Sequence, residues 1–127
     1  MTTKTQYNEI APFITKDSAI IRELMHPDTH HQLGSRSQSL AEARIAIGVK
    51  THLHCHHLSE GLYHVTAGCG EMTLGDEQFE VSVGDTVCIP PTTPHCVENI
   101  GTIELVILCC CSPAYQHDDT ELLTTIV

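Results

Sequence analysis

The run EMTLGDEQFEVSVGD, residues 71–85, alternates apolar and polar side chains at a period of two and is punctuated by two Gly-Asp pairs. That period builds a strand with one buried face and is incompatible with an amphipathic helix. Met72 and Leu74 fall on one short strand and Phe79, Val81 and Val83 on the next, with Gly75-Asp76 as the hairpin turn. Gly84-Asp85 then turns the chain into TVCIPP. The segments AIIREL, SLAEARIAI, KTHLHCHH and LYHVTA read as further strands, and TIELVILCCC, apolar on both faces, as a strand covered on both sides. Strands recurring roughly every eight to twelve residues predict an all-β antiparallel sandwich or barrel. A chain of 127 residues suits one such domain. One short helix is expected, in the acidic tail DDTELL. His26, His30 and His31 are expected in an exposed loop after the first strand.

The net charge of −10 is unevenly spread, because all six Lys and Arg residues lie in the first fifty positions while residues 51–127 carry eleven Asp and Glu. Such a surface repels phosphate backbones and anionic lipid, so neither nucleic acid nor membrane is expected as a partner. The start MTTKTQYNEI has no apolar signal-peptide core, and a cytoplasmic location is expected. Seven cysteines, three of them consecutive at positions 109–111, suit reduced thiols better than a disulfide framework.

The run HLHCHHLSE, residues 52–60, holds the chemistry. On a strand, residues two apart share a face, so His52, His54 and His56 point one way and Cys55 and His57 the other. Glu60 lies within reach after a tight turn, and PPTTPHCVEN brings His95 just past a rigid proline-rich bend. Three neutral imidazoles and one carboxylate suit one divalent transition metal, among Fe, Mn, Ni, Co, Cu and Zn.

These residues also fall in a known order. Gly48, His54, His56 and Glu60 match the first motif of the cupins: a glycine, five residues, His-X-His, three or four residues and a glutamate. Gly84, Pro90, His95 and Asn99 match the second, a glycine, five residues, Pro-X-Gly, two residues, His, three residues and Asn. The chain thus resembles a small single-domain cupin, and the resemblance implies a double-stranded β-helix of jelly-roll type. Two positions depart from the pattern. Thr92 replaces the glycine of the second motif, and an ordinary backbone conformation is expected there. The first motif's closing glycine falls at Gly68, an offset that would suit a glutamate at position 61, where the chain has Gly61.

The expected organisation is an N-terminal strand and loop over residues 1–35 that pack on the barrel, a cupin barrel over 36–113 and a tail over 114–127. His54, His56, Glu60 and His95 are the expected ligands. His52, His64 and Arg44 are expected to line the pocket, with His64 the candidate acid or base, and Tyr63 is expected to pack. What the resemblance implies is a metalloenzyme of the dioxygenase (oxidoreductase), isomerase, decarboxylase or lyase type, acting on a small organic acid or sugar; a non-catalytic cupin that binds or senses a small molecule is the alternative. A homodimer is expected, since the doubly apolar last strand needs cover on its outer face.

Overall fold

The computed structural model describes residues 4–30 and 34–123, so His31 lies outside the described residues. Among the described residues, eleven strands run in chain order: β1 (Phe13–Ile14), β2 (Ile20–Met25), β3 (Ser39–Ile45), β4 (His54–His56), β5 (Glu60–Ala67), β6 (Cys69–Leu74), β7 (Glu77–Ser82), β8 (Thr86–Ile89), β9 (His95–Asn99), β10 (Leu105–Ser112) and β11 (Thr120–Leu122). They form two antiparallel sheets, a six-stranded one in the order β1-β2-β3-β10-β5-β8 and a five-stranded one in the order β11-β4-β9-β6-β7. The architecture is the all-β jelly roll, two sheets packed face to face over one core.

The alternation in residues 71–85 does what its period requires. β6 and β7 pair with Leu74 opposite Glu77, which leaves Gly75 and Asp76 as a two-residue loop. Gly75 takes φ +58, the positive value that tight hairpin turns demand. Met72 and Val81 are buried from this hairpin, and they meet Ile45, Val65, Leu105 and Ile107 of the opposite sheet. Full burial of an aliphatic side chain stabilises by about 1.5–3 kcal/mol, so this block is the mechanical base of the fold.

Along each long strand of the six-stranded sheet, one face passes from core to cavity. In β10, Leu105 and Ile107 are core residues, while Cys109 and Cys111 line a cavity between the sheets. In β3 the same step leads from Ile45 and Ala43 to Ala41 and Ser39. In β5 it leads from Val65 to Tyr63 and Gly61. The outer face of β10 carries Leu108 and Cys110, both half-buried, which follows from its doubly apolar sequence.

Three local expectations are corrected. DDTELL is not helical: a single 3-10 turn, His117–Asp119, leads into β11. Three residues cannot nucleate a helix, whereas the open edge of β4 offers unpaired backbone groups, and Thr120 pairs there with His56. The histidine-rich strand is shorter than its alternation suggested, covering only His54–His56. The His26 segment is not loose. His26 is buried, its Nε2 contacts the Tyr115 carbonyl, and its own carbonyl accepts from the His30 amide at 2.8 Å.

Candidate metal centre

Strand pairing decides which histidines meet. His54 on β4 lies directly across from His95 on β9, with ring centroids 4.1 Å apart. His56, two residues along β4, presents the same face, 5.1 Å from the His54 ring and 5.4 Å from that of His95. Each of the three offers a ring nitrogen within 4.8 Å of those of the other two.

The second nitrogen of each ring is already engaged, and its partner fixes the tautomer. His54 Nδ1 donates to the His52 carbonyl (2.8 Å) and His95 Nδ1 to the Thr93 carbonyl (2.9 Å). A carbonyl only accepts, so both Nδ1 atoms carry the proton. His56 Nδ1 lies 3.0 Å from Thr120 Oγ1, whose single proton goes to the Gln116 carbonyl at 3.1 Å, so this Nδ1 donates as well. Three Nε2 lone pairs are left to converge.

Burial, reinforced by the neighbouring His54, pulls His95 down to about 3 and His56 to about 4, which keeps both rings neutral at physiological pH. His95 Nε2 is fully buried and has no hydrogen-bond partner among the described residues. An orphaned buried acceptor is costly unless something else fills its lone pair. Neutral imidazoles held by carbonyl or hydroxyl acceptors on the far nitrogen are what divalent transition metals bind. The three histidines therefore fit such an ion.

The cavity they face has a volume of about 60 Å³. At roughly 10–15 Å³ per water-sized group, it admits only a small ligand. Tyr63, Cys109, Cys111 and Tyr115 contribute to its wall, and burial holds all four above their ordinary values, hence protonated. Asp17 and Glu23 are its carboxylates, and among the described lining residues there is no Lys or Arg.

Four expected site residues are not brought here. Glu60 opens β5 exposed, opposite Ser112, and its neighbour Gly61 takes the inward position. His64 shares the outward parity of Glu60, and its Nδ1 bonds Thr86 Oγ1 at 2.8 Å on the surface. Arg44 points away from the cavity, between Glu42 (2.9 Å) and Glu104 (2.7 Å), because Ala43 and Ile45 hold the inner positions of β3. His52 lies before β4 begins and is exposed, so its carbonyl rather than its ring serves the centre. Tyr63 lines the cavity instead of only packing, as its alternation with Val65 implies.

Thr120 and Asp17 escaped the sequence reading. No spacing rule connects them to His54, since chain topology brings them from both flanks of the barrel. A second trio, Cys55, His57 and Glu121, gathers on the other side of β4, where His57 Nε2 donates to Glu121 Oε1 at 3.1 Å on the exposed surface.

Comparison with known proteins matches residues 41–111 to the family described as the cupin domain. An uncharacterized protein of Methanocaldococcus jannaschii is 54% identical over 120 residues, 94% of this chain and 94% of that protein. Among solved structures, the Lactobacillus farciminis oxalate decarboxylase in its formate complex superposes with a TM-score of 0.77 at 21% identity. The match covers 91% of this chain and 34% of that one, so this chain spans about a third of the decarboxylase. The Streptomyces nucleoside dehydratase Pac13 gives a TM-score of 0.75 at 17% identity, over 98% of this chain and 92% of its own. Identities this low speak for the fold.

Proposed function

Since this chain belongs to the cupin family, and since its barrel gathers three neutral histidines at a small inner cavity, we propose that it is a metal-dependent enzyme acting on a small molecule. The observation that carries the reading is the buried, partnerless His95 Nε2, aimed with those of His54 and His56 at one point. His54, His56 and His95 would hold the ion, and a divalent ion there would supply Lewis-acid chemistry toward a substrate oxygen.

The chain's own groups do the rest. The ring locks from His52, Thr93 and Thr120 keep the three lone pairs aimed without reorganisation. The Tyr63 hydroxyl, held protonated by burial, is a hydrogen-bond donor to a substrate oxygen, while the Tyr115 hydroxyl already bonds His117 Nδ1 at 3.1 Å. A neutral, hydroxyl-bearing substrate of the sugar kind suits walls that hold Asp17 and Glu23 and neither Lys nor Arg; an organic acid would find only the ion to bind. Decarboxylase and dehydratase chemistry on the same fold supports catalysis over storage, though fold by itself does not select a reaction. Seven free thiols suit a reducing compartment, and we place the protein in the cytoplasm as a homodimer.

Elemental analysis of the purified protein, with mass spectrometry of co-purified small molecules, tests this reading. One bound transition metal per chain is expected, with loss of at least 90% of it in His54→Ala and in His95→Ala. Full occupancy in both variants would sink the metal reading. A metabolite retained tightly but never turned over would establish a binding protein instead.

A further inference from the structure

Asp17 lies in the turn between β1 and β2, far from the histidine run in sequence but beside His54 in space. Its backbone carbonyl accepts the His52 amide at 2.9 Å, which stitches this turn to the residues that enter β4. Its side chain is 15% exposed and lines the cavity. Thr15 Oγ1 donates to Oδ1, which fixes the carboxylate plane. Oδ2 makes no hydrogen bond among the described residues and stands 3.7 Å from His54 Nε2.

That juxtaposition needs a cation. His54 Nδ1 carries the ring proton, so Nε2 presents a lone pair to a carboxylate oxygen, two acceptors facing each other in a largely buried site. At 3.7 Å they are too far apart for a hydrogen bond. Two donors that each sit about 2.1 Å from one ion lie roughly 3.0–4.2 Å apart, depending on the angle between them. Among the described lining residues there is no Lys or Arg to neutralise the charge, whereas the other carboxylate, Glu23, already accepts from Thr29 Oγ1 at 3.3 Å.

The opposite wall explains the need. Gly61 faces inward where a side chain would fit, since a Cβ there would meet only Ile89, at 3.8 Å. Space for a carboxylate exists on β5, and the chain leaves it empty while Glu60 turns outward.

Resting on the three-histidine reading above, we propose that Asp17 is the carboxylate ligand of this centre, delivered by the N-terminal hairpin in place of a glutamate on β5. The centre is then three imidazoles and one carboxylate, with a net charge of +1 around a divalent ion. The β5 side remains open for substrate.

Cobalt(II) titration of the full chain, followed by its visible absorption and by chelator competition, tests the assignment without any activity assay. Asp17→Asn keeps the oxygen that accepts from Thr15, and circular dichroism confirms that the variant folds. The expected result is at least a tenfold loss of cobalt affinity and an altered visible spectrum in Asp17→Asn, with Glu60→Gln indistinguishable from the parent. If Asp17→Asn binds within twofold of the parent with the same spectrum while His95→Ala loses the ion, the assignment of Asp17 is overturned and the histidine centre stands. If His95→Ala also binds as the parent does, the centre itself is wrong. An unchanged cobalt affinity in Asp17→Asn, together with a shift in its pH dependence alone, would mean that a proton rather than the metal bridges Asp17 and His54, and would equally overturn the assignment.

Discussion

At the scale of single residues, the second motif shows how chemistry and backbone demands interleave. His95 carries a donor, while Asn99 serves the fold: its amide nitrogen donates to Ile45 O and Ile103 O, both at 2.9 Å, and its oxygen accepts from the Gly101 amide. Thr92 keeps φ +68, so the expectation of an ordinary conformation is corrected. The fold needs that geometry because the Thr92 amide donates to the His56 carbonyl and pins the strand that carries two of the histidines. A β-branched residue at positive φ costs about 1–2 kcal/mol. Thr92→Gly is therefore expected to raise stability by about 1 kcal/mol, read as a higher urea midpoint at unchanged slope; a lower midpoint would show that the Thr92 hydroxyl contact to Pro91 O outweighs the strain. The three histidines were legible because a strand's period is fixed. Glu60 misled because the turn before β5 resets parity, and one residue of offset sends a side chain to the other face. Asp17 was illegible, since its place depends on a hairpin docking that no local spacing encodes.

At the scale of elements, β10 repays attention because its three cysteines divide by parity. Cys109 and Cys111 face the cavity, and Cys110 faces out. Burial raises Cys109 well above its ordinary value and Cys111 to about 11. Pulse alkylation at pH 8, read by mass spectrometry, is expected to label exposed Cys88 first and to leave Cys55, Cys109 and Cys111 at least tenfold slower. The same shifts act on stability. A folded-state value above the unfolded one means the native chain keeps a proton that the unfolded chain loses. The stabilisation is therefore intact below pH 9 and is lost as pH rises from 9 towards 11. The thermal midpoint should fall across that window, and more shallowly in Cys111→Ala. An identical slope in that variant would contradict the burial argument. Strand identity along this part of the chain was readable from alternation and turns. β11 was not, since the short segment Thr120–Leu122 becomes a strand only when the β4 edge is already there.

At the scale of the whole molecule, the outer face of the six-stranded sheet carries a cross-strand row of Leu40, Cys110, Leu62 and Cys88. Leu40 is 39% and Leu62 is 41% exposed, and together they form the kind of apolar patch that marks an interface. A two-fold pairing through this row is the form the proposed homodimer takes. Light scattering at micromolar concentration is expected to give twice the chain mass, and Leu62→Arg to give the monomer with cobalt binding retained. A monomeric parent protein would remove the proposal.

The stitching of the centre to both flanks has its own consequence. Lys16 Nζ donates to the His117 carbonyl at 3.0 Å, one residue from Asp17, and Thr120 locks the His56 ring. The hydrophobic block of Ile45, Met72 and Leu105 owes nothing to either contact. A barrel whose flanking segments have come undone would thus still be a barrel, but one with a slack grip. In the centre proposed above, retention of the ion therefore gauges whether both segments are drawn in, a state the core alone cannot report.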